Sequence, residues 1–150
     1  IETLERTSGT RPRGWLSPRC TPSAGTTDLL IGAGFDWHAD YFDNDLPRLI
    51  AKPAGTIVAM PFTMEVNDMP LYIRYGNEPA AYTHILAHIL EGWPHLPARQ
   101  GCLDITAHAH VFGRPAGAIA FAAALAEVKR HEEFAFLTSH RALAAMWRRP

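Results

Sequence analysis

Cysteine is scarce in this chain: Cys20 and Cys102 are the only two among 150 residues. That is too few, and they lie too far apart, for a disulfide framework or a paired-cysteine metal site. A reducing, cytoplasmic location is the expectation that follows. An excess of charge of one sign is also lacking. Fourteen Lys and Arg against 15 Asp and Glu leave a formal net charge of -1, which provides no basic field for phosphate backbones or anionic lipid. Nucleic-acid and membrane-surface partners are excluded on that ground. No apolar run nears the roughly 20 residues of a bilayer span, and Ile1-Glu2-Thr3-Leu4 has none of the regions of a signal peptide. There is no G-x-S-x-G elbow, no P-loop and no G-x-G-x-x-G fingerprint; Ile31-Gly32-Ala33-Gly34 reads as a helix end.

What is present is the composition of a globular domain, or part of one, with 47% hydrophobic residues against 19% charged. Thr7 to Arg13 is a polar loop leading into a short strand at Gly14-Trp15-Leu16. Thr26 is the expected N-cap of a short helix through Ile31, with Gly32 and Gly34 to end it. Phe35, Trp37 and Ala39 alternate with Asp36, His38 and Asp40, which is strand periodicity, and an acidic loop runs on from Asp40 to Pro47. Thr56 to Met60 is a β-branched apolar run suited to a buried strand. Between Pro79 and Trp93, Tyr82, Ile85, Leu86, Ile89, Leu90 and Trp93 recur at helical spacing. Leu103, Ile105 and Ala107 alternate with Asp104, Thr106 and His108 in a further strand. Pro115 opens an alanine-rich helix carrying Phe121, Leu125 and Val128, Phe134 to Thr138 reads as a last strand, and Ser139 caps a terminal helix bearing Leu143, Met146 and Trp147. Strands alternating with helices predict an α/β fold, a parallel sheet or barrel, whose ligand site lies at the carboxyl ends of the strands.

Polar clusters fall where that rule puts a site: Ser17-Pro18-Arg19, Asp40 to Asp45, Glu65-Val66-Asn67-Asp68 and His108-Ala109-His110. His108 is the candidate for acid–base chemistry, because imidazole titrates near neutrality. With His110 it forms an H-x-H spacing able to direct two imidazoles at one ion, so a metal-dependent amidohydrolase is an alternative. His84 and His88 have H-x-x-x-H spacing but lie opposite the apolar stripe of their helix, with Glu91, and read as a solvated face. The group Asp40, Asp43 and Asp45 lacks the spacing, glycine and terminal glutamate of an EF-hand. Asn67 and Asp68 are explained equally by turn formation, and Trp15 and Trp37 by burial.

In order along the chain, Gly14-Trp15-Leu16-Ser17-Pro18-Arg19, Thr27-Asp28-Leu29-Leu30, Gly34-Phe35, the Asp40 to Pro47 loop, Met60 to Asp68 and His108 to Pro115 resemble the polysaccharide deacetylase, or NodB-homology, superfamily. The branch most similar contains cofactor-independent allantoinase and peptidoglycan deacetylases. The resemblance implies part of a distorted β/α barrel, the C-terminal portion of a deacetylase-like catalytic domain over 1–150, hydrolysing an amide-type C–N bond of a small-molecule or carbohydrate substrate. It makes His108 the proton donor to the leaving group, with Trp15, Arg19, Asp40, Asp45, Glu65 and Asp68 lining or ordering the site. Many deacetylases have an arginine where this sequence has Leu16. The family's paired-aspartate motif and H-x-x-x-H metal motif lie on early strands, and no matching segment precedes Gly14. This chain is therefore expected to be inactive alone, with the N-terminal strands missing. No cofactor is evident in it, although the complete family fold often holds a divalent metal. An incomplete barrel would leave strand edges and apolar faces open, so self-association into a homo-oligomer is expected. A catalytically inactive binding module of the same fold is the alternative from another class.

Overall fold

The computed structural model describes residues 1–97 and 100–148. They form two compact units, one from Ile1–Phe62 with the chain from Thr138 onward, the other from Thr63–Leu137.

The first unit is built on a four-stranded sheet of β1 (Gly14–Trp15), β2 (Trp37–Tyr41), β3 (Arg48–Lys52) and β4 (Gly55–Pro61), in the order β1-β2-β4-β3. β1, β2 and β4 are parallel, as the sequence pattern predicts, whereas β3 runs antiparallel to β4 and makes the sheet mixed. The Pro53-Ala54-Gly55 turn explains the difference. Gly55 has a φ of 138°, a conformation open to glycine, and it folds the charged segment Arg48 to Lys52 back as an edge strand. Successive residues of β4 serve opposite faces. Ile57 packs with Leu30 and Phe35 under α2 (Thr26–Gly32), while Val58 and Met60 pack with Ala39 and Ala144 under α5 (His140–Trp147). Ser139 caps α5 as expected, its side chain accepting from the Ala142 N–H at 3.2 Å. Helix α2 departs from expectation: Gly25 is its N-cap, because the Thr26 hydroxyl accepts the Ser23 N–H instead. The helix α1 (Glu2–Ser8) precedes the sheet and ends on Gly9 in the left-handed region; no periodicity marks it in the sequence. Gly14 is required sterically, since a Cβ there would lie 2.0 Å from the Trp37 ring.

Between His38 and Tyr41 the β2–β4 register shifts by one residue, from His38↔Ala59 to Tyr41↔Pro61. The extra residue is a bulge. His38, Ala39 and Asp40 are all buried because both faces of the strand are covered, one by α2 and the other by α5.

The second unit packs α3 (Ala80–Gly92) against α4 (Pro115–Arg130). Tyr82, Leu86 and Leu90 are the buried residues of α3, and Gly117, Ala120, Ala124 and Val128 supply the facing stripe of α4. Small side chains let the helices approach, and the Thr83 hydroxyl donates to the Ala120 carbonyl at 2.8 Å. Phe112 fills the end of this core, 5.1 Å from the Tyr82 ring. His84 and His88 are exposed, as their position opposite the stripe requires. A π-helical turn, Met69–Arg74, follows Asp68.

Two expected strands do not form. Residues 103–108 are extended, yet their ladder is reduced to one parallel bridge, Asn67↔Thr106. A strand needs a neighbour along its length, and among the described residues only Val66 to Asp68 provides one, through Thr106 N–H to Val66 O at 2.9 Å and Asp68 N–H to Thr106 O at 3.3 Å. Residues 134–138 find no partner strand among the described residues and leave Phe136 71% exposed.

Gly117→Ala tests the α4 contact. A Cβ there would meet the Phe112 Cα at 2.6 Å, backbone that has nowhere to go. An exposed helical Gly→Ala gains up to about 1 kcal/mol; here we expect a loss of roughly 1–3 kcal/mol from overpacking, read as a lower urea midpoint.

Candidate active site

A polar network lies on the α2-facing side of β2. The Asp40 carboxylate has no exposed surface. Its Oδ1 accepts the Ser17 N–H at 2.8 Å, and its Oδ2 accepts the Ser17 hydroxyl at 2.7 Å and the His38 Nδ1–H at 3.3 Å. The Ser17 Oγ in turn accepts the Trp15 indole N–H at 3.0 Å. On the far side of the imidazole, His38 Nε2 accepts the Tyr41 hydroxyl at 2.8 Å, with the Thr27 hydroxyl at 3.4 Å. These partners fix the neutral Nδ1–H tautomer. Burial lowers the His38 pKa from 6.5, while the hydrogen bond and charge of Asp40 oppose that shift.

Asp40 therefore belongs to β2 and not to a solvated acidic loop, and its oxygens are engaged by the protein. Trp15 is not core: it is 38% exposed and meets Phe35 edge to face at 6.0 Å. Arg19 is exposed on the 3-10 turn Pro18–Cys20. Asp45 is exposed, and the adjacent Asp43 pairs with Arg48 at 2.9 Å, the arginine's hydrogen bond drawing the Asp43 carboxyl below its ordinary range.

The second unit holds an aspartate–histidine pair. Asp68 is fully buried. Its Oδ2 accepts the His108 backbone N–H at 2.7 Å and its Oδ1 accepts the His108 ring Nδ1–H at 2.6 Å. One carboxylate thus fixes both the backbone and the side chain of the histidine. The His108 ring keeps 35% of its surface exposed, and with Nδ1 committed, Nε2 is the nitrogen left for chemistry. The alternation read from the sequence holds for Leu103 and Ile105 but not for Ala107, which is exposed. Leu103 and Ile105 pack on the core, while Thr106 donates to Asp104 at 2.9 Å and His108 bonds Asp68 on the other face. Glu65 is exposed, and so is His110, whose ring stands 5.7 Å from that of His108. No group of three or more His, Cys, Asp or Glu placed to hold a metal ion occurs among the described residues. Burial, reinforced by Asp104, pushes the Cys102 thiol up, away from a nucleophilic role.

Sequence reasoning picked out Asp40, Asp68 and His108 but missed Ser17, Thr27, His38 and Tyr41 as network members. The available signal was the polar set Asp36, His38 and Asp40 on a strand bounded by Phe35 and Tyr41; the bulge that gathers Tyr41 to His38 leaves no mark in periodicity.

His38 makes stability depend on pH. Its folded pKa lies below the unfolded 6.5, so the unfolded chain takes up the proton first as the pH falls. The stabilisation is complete above pH 6.5 and is lost as the pH drops through the folded pKa. We expect His38→Gln to be less stable than wild type at neutral pH and to have a flatter melting-temperature profile on acidification below that point. Parallel profiles would show that His38 does not carry the dependence.

No protein-family model and no curated protein matches the sequence. Solved structures do. Puue allantoinase superposes with a TM-score of 0.84 and 25% identity, covering 98% of this chain and 49% of that one. A protein assigned as a polysaccharide deacetylase from Mycobacterium smegmatis gives 0.86 at 24% identity, covering 99% and 53%. Another, from Pseudomonas aeruginosa PAO1, gives 0.82 at 22%, covering 98% and 50%. The chain spans about half the length of each. Its fold, an α/β arrangement, is that of about half of each of these allantoinase and deacetylase structures.

Proposed function

We propose that this chain is the portion of a C–N hydrolase, deacetylase-like or allantoinase-like, that supplies the general acid, His108. The observation that carries the reading is the double hydrogen bond of Asp68 to His108. A surface histidine needs no buried carboxylate behind it. A proton donor does: the carboxylate selects the Nδ1–H tautomer, aims Nε2 outward and stabilises the imidazolium before its proton goes to the leaving nitrogen. Water adds to the carbonyl carbon, Nε2 passes its proton to the nitrogen, and the C–N bond breaks to release a neutral amine and a carboxylic acid, while Asp68 goes on accepting the Nδ1–H hydrogen bond. The fold likeness to allantoinase and to assigned polysaccharide deacetylases supports an amide-type substrate, small-molecule or carbohydrate, with the exposed Glu65 as a candidate contact beside His108 in the second unit; in the first unit Trp15, Arg19 and Asp45 are exposed candidates of their own, with Asp40 ordering the turn that carries Arg19. The family fold often carries a divalent metal. The described residues do not offer a ligand set for one, and no step here runs through it.

A two-histidine metal site has less support, since no group of three or more His, Cys, Asp or Glu placed to hold an ion includes His108 and His110 among the described residues. A binding module of the same fold is the remaining alternative, and it predicts ligand binding without turnover.

The test is amide hydrolysis, followed as amine release, in the full polypeptide that carries this chain. His108→Ala is expected to lower kcat by roughly 10²–10⁴-fold. Asp68→Asn is expected to approach that loss, because the amide N–H would donate to Nδ1 and impose the wrong tautomer. A nitrogen NMR spectrum would show His108 protonated at Nδ1 in wild type and not in Asp68→Asn. Full activity in His108→Ala would sink the assignment.

A further inference from the structure

We propose that Arg19 is an anion-recognition residue that selects ligands bearing a carboxylate, and that buried Asp40 positions it. Calling that ligand a substrate rests on the hydrolase reading above; the recognition itself does not.

The turn that carries Arg19 follows β1, at the carboxyl ends of three parallel strands, where ligands of such sheets bind. Its backbone is unusual. Arg19 and Cys20 have φ of 57° and 53°, two consecutive non-glycine residues in the left-handed region, where Cβ crowds the following carbonyl. Such conformations persist only where the surroundings dictate them, and they cluster at ligand-binding segments. The turn is anchored at its start by Asp40, which accepts both the N–H and the hydroxyl of Ser17. Pro18 follows with its fixed φ, and the Cys20 N–H closes the turn on the Ser17 carbonyl at 2.8 Å. A buried carboxylate thus anchors the turn from which the exposed guanidinium projects.

That guanidinium has no acidic partner among the described residues. Its sequence neighbours do: Arg11 pairs with Glu5 and Arg13 with Asp36, while Arg48 pairs with Asp43. A planar fork of donors left open matches the two oxygens of a carboxylate. Trp15, tied to the same Ser17 and half-exposed, offers an apolar wall to the body of the ligand. A merely solvated arginine accounts for the exposure but leaves the strain and its buried anchor without a reason.

The experiment compares binding of N-acetylglycine with that of its neutral counterpart N-acetylglycinamide, by NMR titration at low ionic strength, and needs no turnover. Wild type is expected to prefer the carboxylate by about tenfold. Arg19→Gln should abolish the preference and Arg19→Lys should retain part of it. Asp40→Asn should weaken the preference although Arg19 is present. Ser17→Ala is the second variant, removing one donor of Asp40 while leaving the carboxylate, with circular dichroism confirming the fold. Equal affinities in wild type, no binding of N-acetylglycine, or an unchanged preference in Arg19→Gln would overturn the recognition role. An unchanged preference in both folded Asp40→Asn and Ser17→Ala would overturn the positioning role. In the full polypeptide, preference without amide hydrolysis would count against the hydrolase reading alone, and hydrolysis without preference against this one alone.

Discussion

A carboxylate removed from water must be given hydrogen-bond donors, because leaving it without them costs several kcal/mol. This chain meets that demand twice, and the same device recurs in each unit. Asp40 and Asp68 have side chains with no exposed surface. Each takes the backbone N–H of a residue well separated in sequence together with a side-chain donor of that same residue, Ser17 in one case and His108 in the other. Hydrogen bonds to charged acceptors contribute roughly 1.5–3 kcal/mol each. A residue held through both its backbone and its side chain has little freedom left, and that restraint turns two ordinary polar segments into defined geometry.

The apolar framework makes the device workable. In the first unit, β2 and β4 are covered on one face by α2 and on the other by α5, so the α2-facing positions of β2 are dry and Asp40 interacts with its partners at low dielectric. In the second, Leu103 and Ile105 sink into the α3–α4 core and leave the other face of the same extended segment to Asp104, Thr106 and His108. A single bridge to Asn67 is enough to set its register. Packing fixes the direction in which the polar face looks, and the buried carboxylate fixes the one side chain on it that has a chemical role.

How much of this could be read from the sequence depends on the range of the interaction responsible. Helices α3 and α4 were legible, since Tyr82, Leu86 and Leu90 recur at 3.6-residue spacing and Pro115 sits in a first turn. The strands β2 and β4 were legible as apolar or alternating runs. His108 stood out because of its residue type at the end of an alternating segment. The hairpin strand β3 was not legible: Arg48 to Lys52 carries two charges in five residues and becomes a strand only by pairing with β4. The reverse error occurred at 134–138, where apolar residues promise a strand that no neighbour completes. Asp68 was visible as a polar residue, but its bond to His108 spans 40 positions, and a single sequence holds no record of such a distance. The Ser17–Asp40 contact spans 23 and was hidden for the same reason. Trp15 shows a third cause: a large aromatic suggests burial, yet on a two-residue edge strand it lies half in solvent.

The extra residue in β2 carries a consequence for how this chain tolerates change in length. Strict alternation would put His38 and Tyr41 on opposite faces, yet their rings stand 4.7 Å apart and their polar atoms meet. The bulge is what reunites them. Deleting Ala39 would regularise the ladder to β4, a change that looks harmless by pairing alone and leaves the histidine and tyrosine on one face, while turning Asp40 to the α5 face and away from Ser17. Sequences that keep this network must therefore keep the spacing between the histidine and the tyrosine, and a search for relatives should weight that interval as heavily as the residues at its ends.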